Sequence, residues 1–264
     1  MATIRTQGPT SEATFKAVEA VLFDKDGTLA NVASYLTALG QARSQRVGAI
    51  ARERASIARS AIMATFGLST AGIDPAGLLA VGSRHENEIA AAACLAADLA
   101  IAAISNSGWI ETLEATKAAF SDAEAALSPK VVQTPLLPDV LPLLHQLKQA
   151  GLTIGIVSSD THAEVATFVS HYQLHDVDWY CGAAPATLAK THPDFLQFAC
   201  HALGMSPSAT LVIGDSAADY LLSTRGTAGF IGMTGGWRRP VKLPETVATV
   251  SALAQIKAFK IEAH

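Results

Sequence analysis

The chain has 264 residues, half of them apolar, with 19 Lys plus Arg against 23 Asp plus Glu and a net charge of -4. That length suits one large domain or a core carrying one insertion, and that apolar content excludes general disorder. A slightly acidic chain lacks the basic stripe that a nucleic-acid partner demands. Cys94, Cys181 and Cys200 are odd in number and lack CxxC spacing, so they read as reduced thiols of a cytoplasmic protein. Residues Met1 to Lys16 have no apolar core, so no secretory signal is expected.

Five runs read as buried strands: Val18–Phe23, Thr153–Val157, Val177–Cys181, Thr210–Ile213 and Gly229–Met233. From about Ala30 to Val132 strand signals nearly vanish. Val47, Ile50, Ile57, Ala58, Ala61 and Phe66 recur at helical spacing there. The stretch Ile89–Ile104 is apolar all round, as in a helix buried inside a bundle. Asp98 interrupts it, and it is too short to span a bilayer. A third helix is predicted over about Ile110 to Leu127. Beyond residue 134, helices are predicted between the strands. Asp139 starts one and Gly151 follows it; Thr161 and Glu164 form a capping box for the next. Pro193 sits in the first turn of a third, and Ser216 opens a fourth. Strand and helix in alternation predict a parallel sheet covered on both faces. The chain thus divides into an α/β core, 1–29 and 134–264, and an inserted helical cap, 30–133. The last 24 residues are expected to add a short edge strand and a helix.

The informative polar residues all follow a predicted strand, where ligands of such sheets bind. Asp24 and Asp26 lie two apart after the first strand and would face one side of an extended chain. Two carboxylates so placed repel unless a cation or a proton intervenes. Gly27 permits a turn and a close backbone approach. Ser158 and Ser159 follow the second strand at a helix start, which suits an anion. Lys190 follows the third strand and supplies a point charge. Gly214, Asp215 and Asp219 follow the fourth, with both carboxylates on one face of a first helical turn. Hard oxygen donors beside an anion site point to Mg²⁺ rather than zinc.

In this order, Asp24 to Thr28 as DxDGT, Ser158, Lys190, and Gly214 to Asp219 as GDxxxD, the chain resembles the haloacid dehalogenase superfamily of aspartate-nucleophile phosphohydrolases. The insertion is similar in type and position to the helical cap of the phosphoglycolate-phosphatase-like branch. Thr191 departs from the pattern, since many members have Pro directly after the Lys. The resemblance implies that Asp24 attacks phosphorus and Asp26 serves as acid and then base. It implies that Ser158 and Lys190 hold phosphoryl oxygens. Mg²⁺ would be held by Asp24, the Asp26 main-chain carbonyl and Asp215, with Asp219 in support. The expected substrate is a small phosphorylated metabolite, phosphoglycolate-like or a sugar phosphate, with neither nucleic acid nor membrane as partner and the oligomeric state open. A sugar-phosphate mutase shares the four motifs. A phosphate-sensing or interaction protein without catalysis is the alternative of another class.

Other readings fare worse. A calcium loop needs a further Asp or Asn and a distal Glu that are missing. Gly214-Asp215-Ser216 matches the signature of a serine esterase family, but lies late in the chain with His264 the only histidine after it. His171 and His175 have zinc-compatible spacing without a third ligand. Arg43, Arg46, Arg52, Arg54 and Arg59 read as a solvated helix face. Arg84, His85 and Glu86 are candidates for a cap loop that touches substrate. Trp237-Arg238-Arg239 reads as a plain loop.

Overall fold

The computed structural model of the chain describes residues 1–7, 12–101, 108–183 and 188–261. The last part of the predicted stretch Ile89–Ile104, and part of the N-terminal stretch before Lys16, therefore lie outside the described residues. The fold divides into two compact units, Met1–Val32 with Thr134–His264, and Ala33–Gln133.

The first unit opens with β1 (Ala2–Thr6), β2 (Thr14–Val18) and β3 (Ala20–Asp24). The predicted strand Val18–Phe23 is thus split, with Val18 closing a different strand. Ala17 has φ 56°, a conformation costly for a residue with a Cβ, and it marks the kink.

The second unit comprises α1 (Ala33–Ile50), α2 (Ala55–Thr65), β4 (Leu68–Ser69), β5 (Gly72–Ile73), α3 (Leu78–Val81), α4 (Arg84–Ile101), α5 (Trp109–Ala125) and α6 (Lys130–Gln133). Among its described residues the only strands are the two-residue β4 and β5, which form a small antiparallel hairpin. Arg52, at φ 52°, breaks the first long helix and resets its phase. The buried positions after the break are therefore Ala58, Ile62 and Phe66, while Ile57 and Ala61 face solvent. In α4, Ala91, Ala92 and Leu95 are fully buried while Ile89 is exposed, so this helix has one buried face, not an apolar surface all round. Its alanines tolerate either environment at small cost. Arg43 departs from the expected solvated face. It is buried, pairs with Glu124 and lies 4.5 Å over the Phe120 ring.

The first unit resumes with α7 (Val140–Gln149), β6 (Thr153–Thr161), α8 (His162–His171), β7 (Trp179–Ala183), α9 (Phe195–Leu203), β8 (Thr210–Gly214), α10 (Ala217–Ser223), β9 (Gly229–Met233), β10 (Ala248–Val250) and β11 (Ile256–Lys260). Six of its strands form one parallel sheet in the order β10-β9-β8-β3-β6-β7. Its central strands are fully apolar: Ala20 to Phe23 and Leu211 to Ile213 have no exposed surface. Helices on both faces dictate such runs. The Thr161–Glu164 capping box opens α8 as its sequence predicts, and Gly204 closes α9 at φ 69°. Helix α9 starts at Phe195, so Pro193 precedes it and does not lie in its first turn. The C-terminal segment differs from expectation. It adds two strands, β10 and β11, joined by the 3-10 turn Leu253–Gln255, and no α-helix among its described residues. Strand β11 pairs antiparallel with β1, and β1 with β2, in a separate three-stranded sheet.

Candidate functional site

Register places the site. Phe23 lies beside Ile213 of β8, and Asp24 lies beside Val157 of β6. One further step along β6 and β8 leads to Ser158 and to Gly214-Asp215. Asp24 and Asp215 thus stand at the carboxyl ends of β3 and β8. Ser158 lies inside β6, which runs on past the expected end at Val157 to Thr161, so Ser158 and Ser159 are strand residues and the helix start falls at Thr161–His162. Asp219 follows on α10, whose N-cap Ser216 accepts from the Asp219 N–H.

Asp24, Asp215 and Asp219 are all buried and bring one carboxylate oxygen each within 4.8 Å of the others. Lys190 is buried among them. Its ammonium lies 2.6 Å from Asp24 Oδ1 and pairs also with Asp219 Oδ1. Burial drives the Asp24 carboxyl up to about 6, with Asp219 and Asp26 adding to the rise and Lys190 opposing it. Burial, then Asp24 and Asp219, push Asp215 well above the usual carboxylate range. Burial penalises the Lys190 ammonium, but Asp219 and Asp24 outweigh it and hold its pKa above the ordinary value. Three buried carboxylates against one ammonium leave an excess of negative charge and only oxygen donors. That donor set fits a hard divalent cation.

Asp26 is not in this cluster. Its carboxylate pairs with Lys25, which is almost wholly buried, lies 2.9 Å from Asp160 Oδ2 and sits 5.2 Å over the Phe168 ring. The repulsion inherent in Asp24-x-Asp26 is therefore relieved by two separate lysines, Lys190 for the first carboxylate and Lys25 for the second. Gly27 has φ 86°, and a Cβ there would lie 2.2 Å from Trp237 Nε1 and 2.6 Å from Asp215 Oδ2. Only glycine allows that turn. Beyond it, Gly27 N–H donates to the Ala30 carbonyl at 2.8 Å, while Leu29 and Ala30 donate to the Lys25 carbonyl.

Ser158 is buried, and its Oγ accepts from the Asp160 N–H at 3.1 Å. Ser159 is exposed. Arg84 and Glu86 are bound within the helical unit. Arg84 reaches Glu88, Glu124 and Ser121, and Glu86 caps Ser83; His85 is exposed. The serine-esterase reading of Ser216 fails, because its hydroxyl is spent on Asp219 at 2.6 Å.

Four residues support the site in ways the motif pattern does not announce. Thr28 closes the first motif and donates its hydroxyl to Asp215 Oδ1 at 3.0 Å. Trp237 donates its indole N–H to Asp215 Oδ2 at 2.6 Å. Lys25 holds Asp26. Arg225 donates to the carbonyls of Thr191, His192 and Pro193, fastening the segment that follows Lys190. The only advance sign of Trp237 is its position, after a predicted strand and a Gly-Gly pair.

Solved structures share this fold at low sequence identity. A predicted phosphoglycolate phosphatase from Haemophilus somnus 129PT is 18% identical with a TM-score of 0.64, covering 91% of this chain and 96% of its own. A predicted phosphatase from Clostridium acetobutylicum is 17% identical with a TM-score of 0.58, covering 90% and 95%. A subfamily IA hydrolase of the superfamily from Geobacter sulfurreducens PCA is 18% identical with a TM-score of 0.52, covering 90% and 94%. No curated protein matches the chain in sequence. The family model for haloacid dehalogenase-like hydrolases matches residues 18–222, which span the sheet's central strands and every acidic residue of the cluster, and the chain belongs to that family.

Proposed function

We propose that the protein is a Mg²⁺-dependent phosphatase of a small phosphate monoester, phosphoglycolate-like or a sugar phosphate, working through an aspartyl-phosphate on Asp24. The observation that carries this reading is the buried set of Asp24, Asp215, Asp219 and Lys190 at the carboxyl end of the central strand. Phosphoryl transfer is mainly positioning and charge neutralisation, and this set supplies both.

In this reading an Asp24 oxygen attacks phosphorus, the P–O bond to the substrate's alcohol breaks, and Asp26 gives that oxygen its proton. Asp26, now a carboxylate, takes a proton from water as the water attacks the phosphorus of the acyl phosphate. Asp24 is released and inorganic phosphate leaves. Lys190 is bonded to Asp24 and so stands where it would neutralise phosphoryl oxygens as they approach. Ser158 Oγ, anchored by the Asp160 N–H, offers its hydroxyl proton to another. Gly27 keeps the turn after Asp24 free of a side chain. Held by Asp24, Asp215 and the Asp26 main-chain carbonyl, with Asp219 in support through Lys190 and Ser216, Mg²⁺ would supply the charge that offsets both the carboxylates and the phosphate. The three free cysteines fit a reducing compartment such as the cytoplasm.

The test is phosphate release from a panel of phosphate esters, with and without a chelator. Release that vanishes in the chelator and returns with Mg²⁺ is expected. Full activity in the chelator would remove the metal. Intramolecular phosphate transfer without release would favour a mutase. No turnover on any ester, with phosphate bound tightly, would favour a sensing protein.

A further inference from the structure

Asp215 differs from the other two carboxylates of the cluster in having both oxygens fixed by donors from loops outside its own strand. Thr28 Oγ1 donates to Oδ1 at 3.0 Å and Trp237 Nε1 donates to Oδ2 at 2.6 Å. The carboxylate cannot rotate about its Cβ–Cγ bond without losing both bonds together.

The Trp237 donor is itself fixed. A Cβ on Gly236 would lie 1.8 Å from the Gly27 carbonyl oxygen, and a Cβ on Gly27 would lie 2.2 Å from Trp237 Nε1. The two loops therefore pack backbone against backbone, at positions only glycine can fill. Before the glycine pair, Thr234 donates its N–H and its hydroxyl to the Val250 carbonyl, at 2.8 and 3.1 Å. That ties the loop to β10. The indole is thus pinned between the sheet edge and the Asp24–Thr28 turn.

A carboxylate with one lone pair on each oxygen already committed offers a cation one oxygen readily and two oxygens only at a cost. Mg²⁺ demands octahedral geometry at short range and takes carboxylates through one oxygen. Ca²⁺ accepts 6–8 oxygens in loose geometry and often takes a carboxylate through both. Partners of metal ligands typically alter affinity by about 10- to 100-fold when removed.

We propose that Trp237 is a positioning residue that locks Asp215 in a one-oxygen orientation and so makes the cluster select a small octahedral cation over Ca²⁺. This rests on the metal reading given above.

The experiment titrates metal-stripped wild type and Trp237→Phe with Mg²⁺ alone and with Ca²⁺ alone, by calorimetry. In the variant, Mg²⁺ affinity should fall by about tenfold while Ca²⁺ affinity changes by less than about threefold, so that the selectivity ratio narrows. Equal changes for both cations, or none, would overturn the proposal while leaving the metal site standing. Wild type that binds neither cation would overturn the metal reading and this inference with it. Should Trp237→Phe not fold, the wild type still decides. The chain has three tryptophans, and their indole N–H signals are assignable by Trp109→Phe and Trp179→Phe in ¹⁵N-labelled protein. Mg²⁺ should shift the Trp237 signal and leave the other two in place. A Trp237 signal unmoved at saturating Mg²⁺ would refute the coupling.

Discussion

The raised Asp24 carboxyl makes a stability prediction with a definite sign. Burial lifts its pKa from the ordinary 3.8 to about 6 in the folded, metal-free protein. The folded state therefore holds its proton more tightly than the unfolded chain. This stabilisation is fully present below about pH 3.8 and is lost as pH rises through about 6. The whole effect is about 3 kcal/mol, since each tenfold gain in proton affinity is worth roughly 1.4 kcal/mol. Integrating between about pH 5 and pH 7.5 gives a loss of roughly 1 to 2 kcal/mol, the rest having gone below pH 5. Asp24→Asn is the reference, because it keeps the shape and removes the titration. Urea unfolding of both proteins in a chelator, at about pH 5 and 7.5, measures the effect as the change in their stability difference. Wild type should lose roughly 1 to 2 kcal/mol relative to Asp24→Asn over that range. Saturating Mg²⁺ should abolish or invert the loss, since the cation favours the ionised carboxylate. A stability difference that stays flat across the range in the chelator would show that Asp24 is ionised throughout, with Lys190 fully offsetting the burial.

The proposed chemistry makes further predictions. Asp24→Asn should abolish turnover with the fold intact, and labelled phosphate trapped on wild type should be absent from the variant; near-normal turnover would move the nucleophile elsewhere. Asp26→Ala should cost about 10² to 10⁴ in turnover on an alkyl phosphate and less in the first step on nitrophenyl phosphate, with phosphorylated Asp24 accumulating on the activated ester; equal losses without a trapped species would deny Asp26 the acid–base role. Arg225→Ala should free the carbonyls of residues 191–193 and lower kcat by up to about 10²-fold, the scale of a roughly 1 Å misplacement, with Arg225→Lys restoring part of it; a change confined to thermal stability would make the clamp purely structural. Gly27→Ala should lose metal binding and activity together, because its Cβ would strike both Trp237 and Asp215; calorimetry showing wild-type Mg²⁺ affinity would contradict that geometry.

The parallel sheet is legible because its strands are unbroken apolar runs, a pattern forced by burial on both faces. Thr153, Thr210 and Gly229 begin strands as expected. Legibility fails where the phase of the chain changes at one residue. Ala17 and Arg52 take positive φ without being glycine, and nothing in their types announces it. Hence the apolar pattern joins Val18 to the wrong strand, and on α2 it finds the buried Ala58 and Phe66 but adds the exposed Ile57 and Ala61 and misses Ile62. The sheet β11-β1-β2 is hidden for another reason. It pairs the two ends of the chain, Ala2 opposite Lys260, and five residues of alternation at either end carry too little pattern to suggest a partner so distant. Strands β1 and β11 also lie outside the residues that match the family model.

The candidate site divides along the same physical line. Residues that leave strand ends are legible, since a polar group directly after a buried apolar run has few reasons to be there. Asp24 and Asp215 are of this kind, and the structure brings them together with Asp219 and Lys190. Residues that hold these groups in place follow no period. Trp237 and Arg225 act from loops whose positions are set only when the sheet has formed, so the sequence shows Trp237 as part of a plain loop and gives Arg225 no role. Lys25 is hidden differently. It stands between two aspartates with no motif role of its own, and the alternation of the chain beyond β3 turns it away from Asp24 toward Asp160 and Phe168. Burying that ammonium is costly unless carboxylates meet it, and Asp26 and Asp160 do. The same alternation that separates Asp24 from Lys25 therefore gives each aspartate of the DxD pair its own lysine. One carboxylate is left facing the metal-fitting cluster, and the other is held apart from it by Lys25.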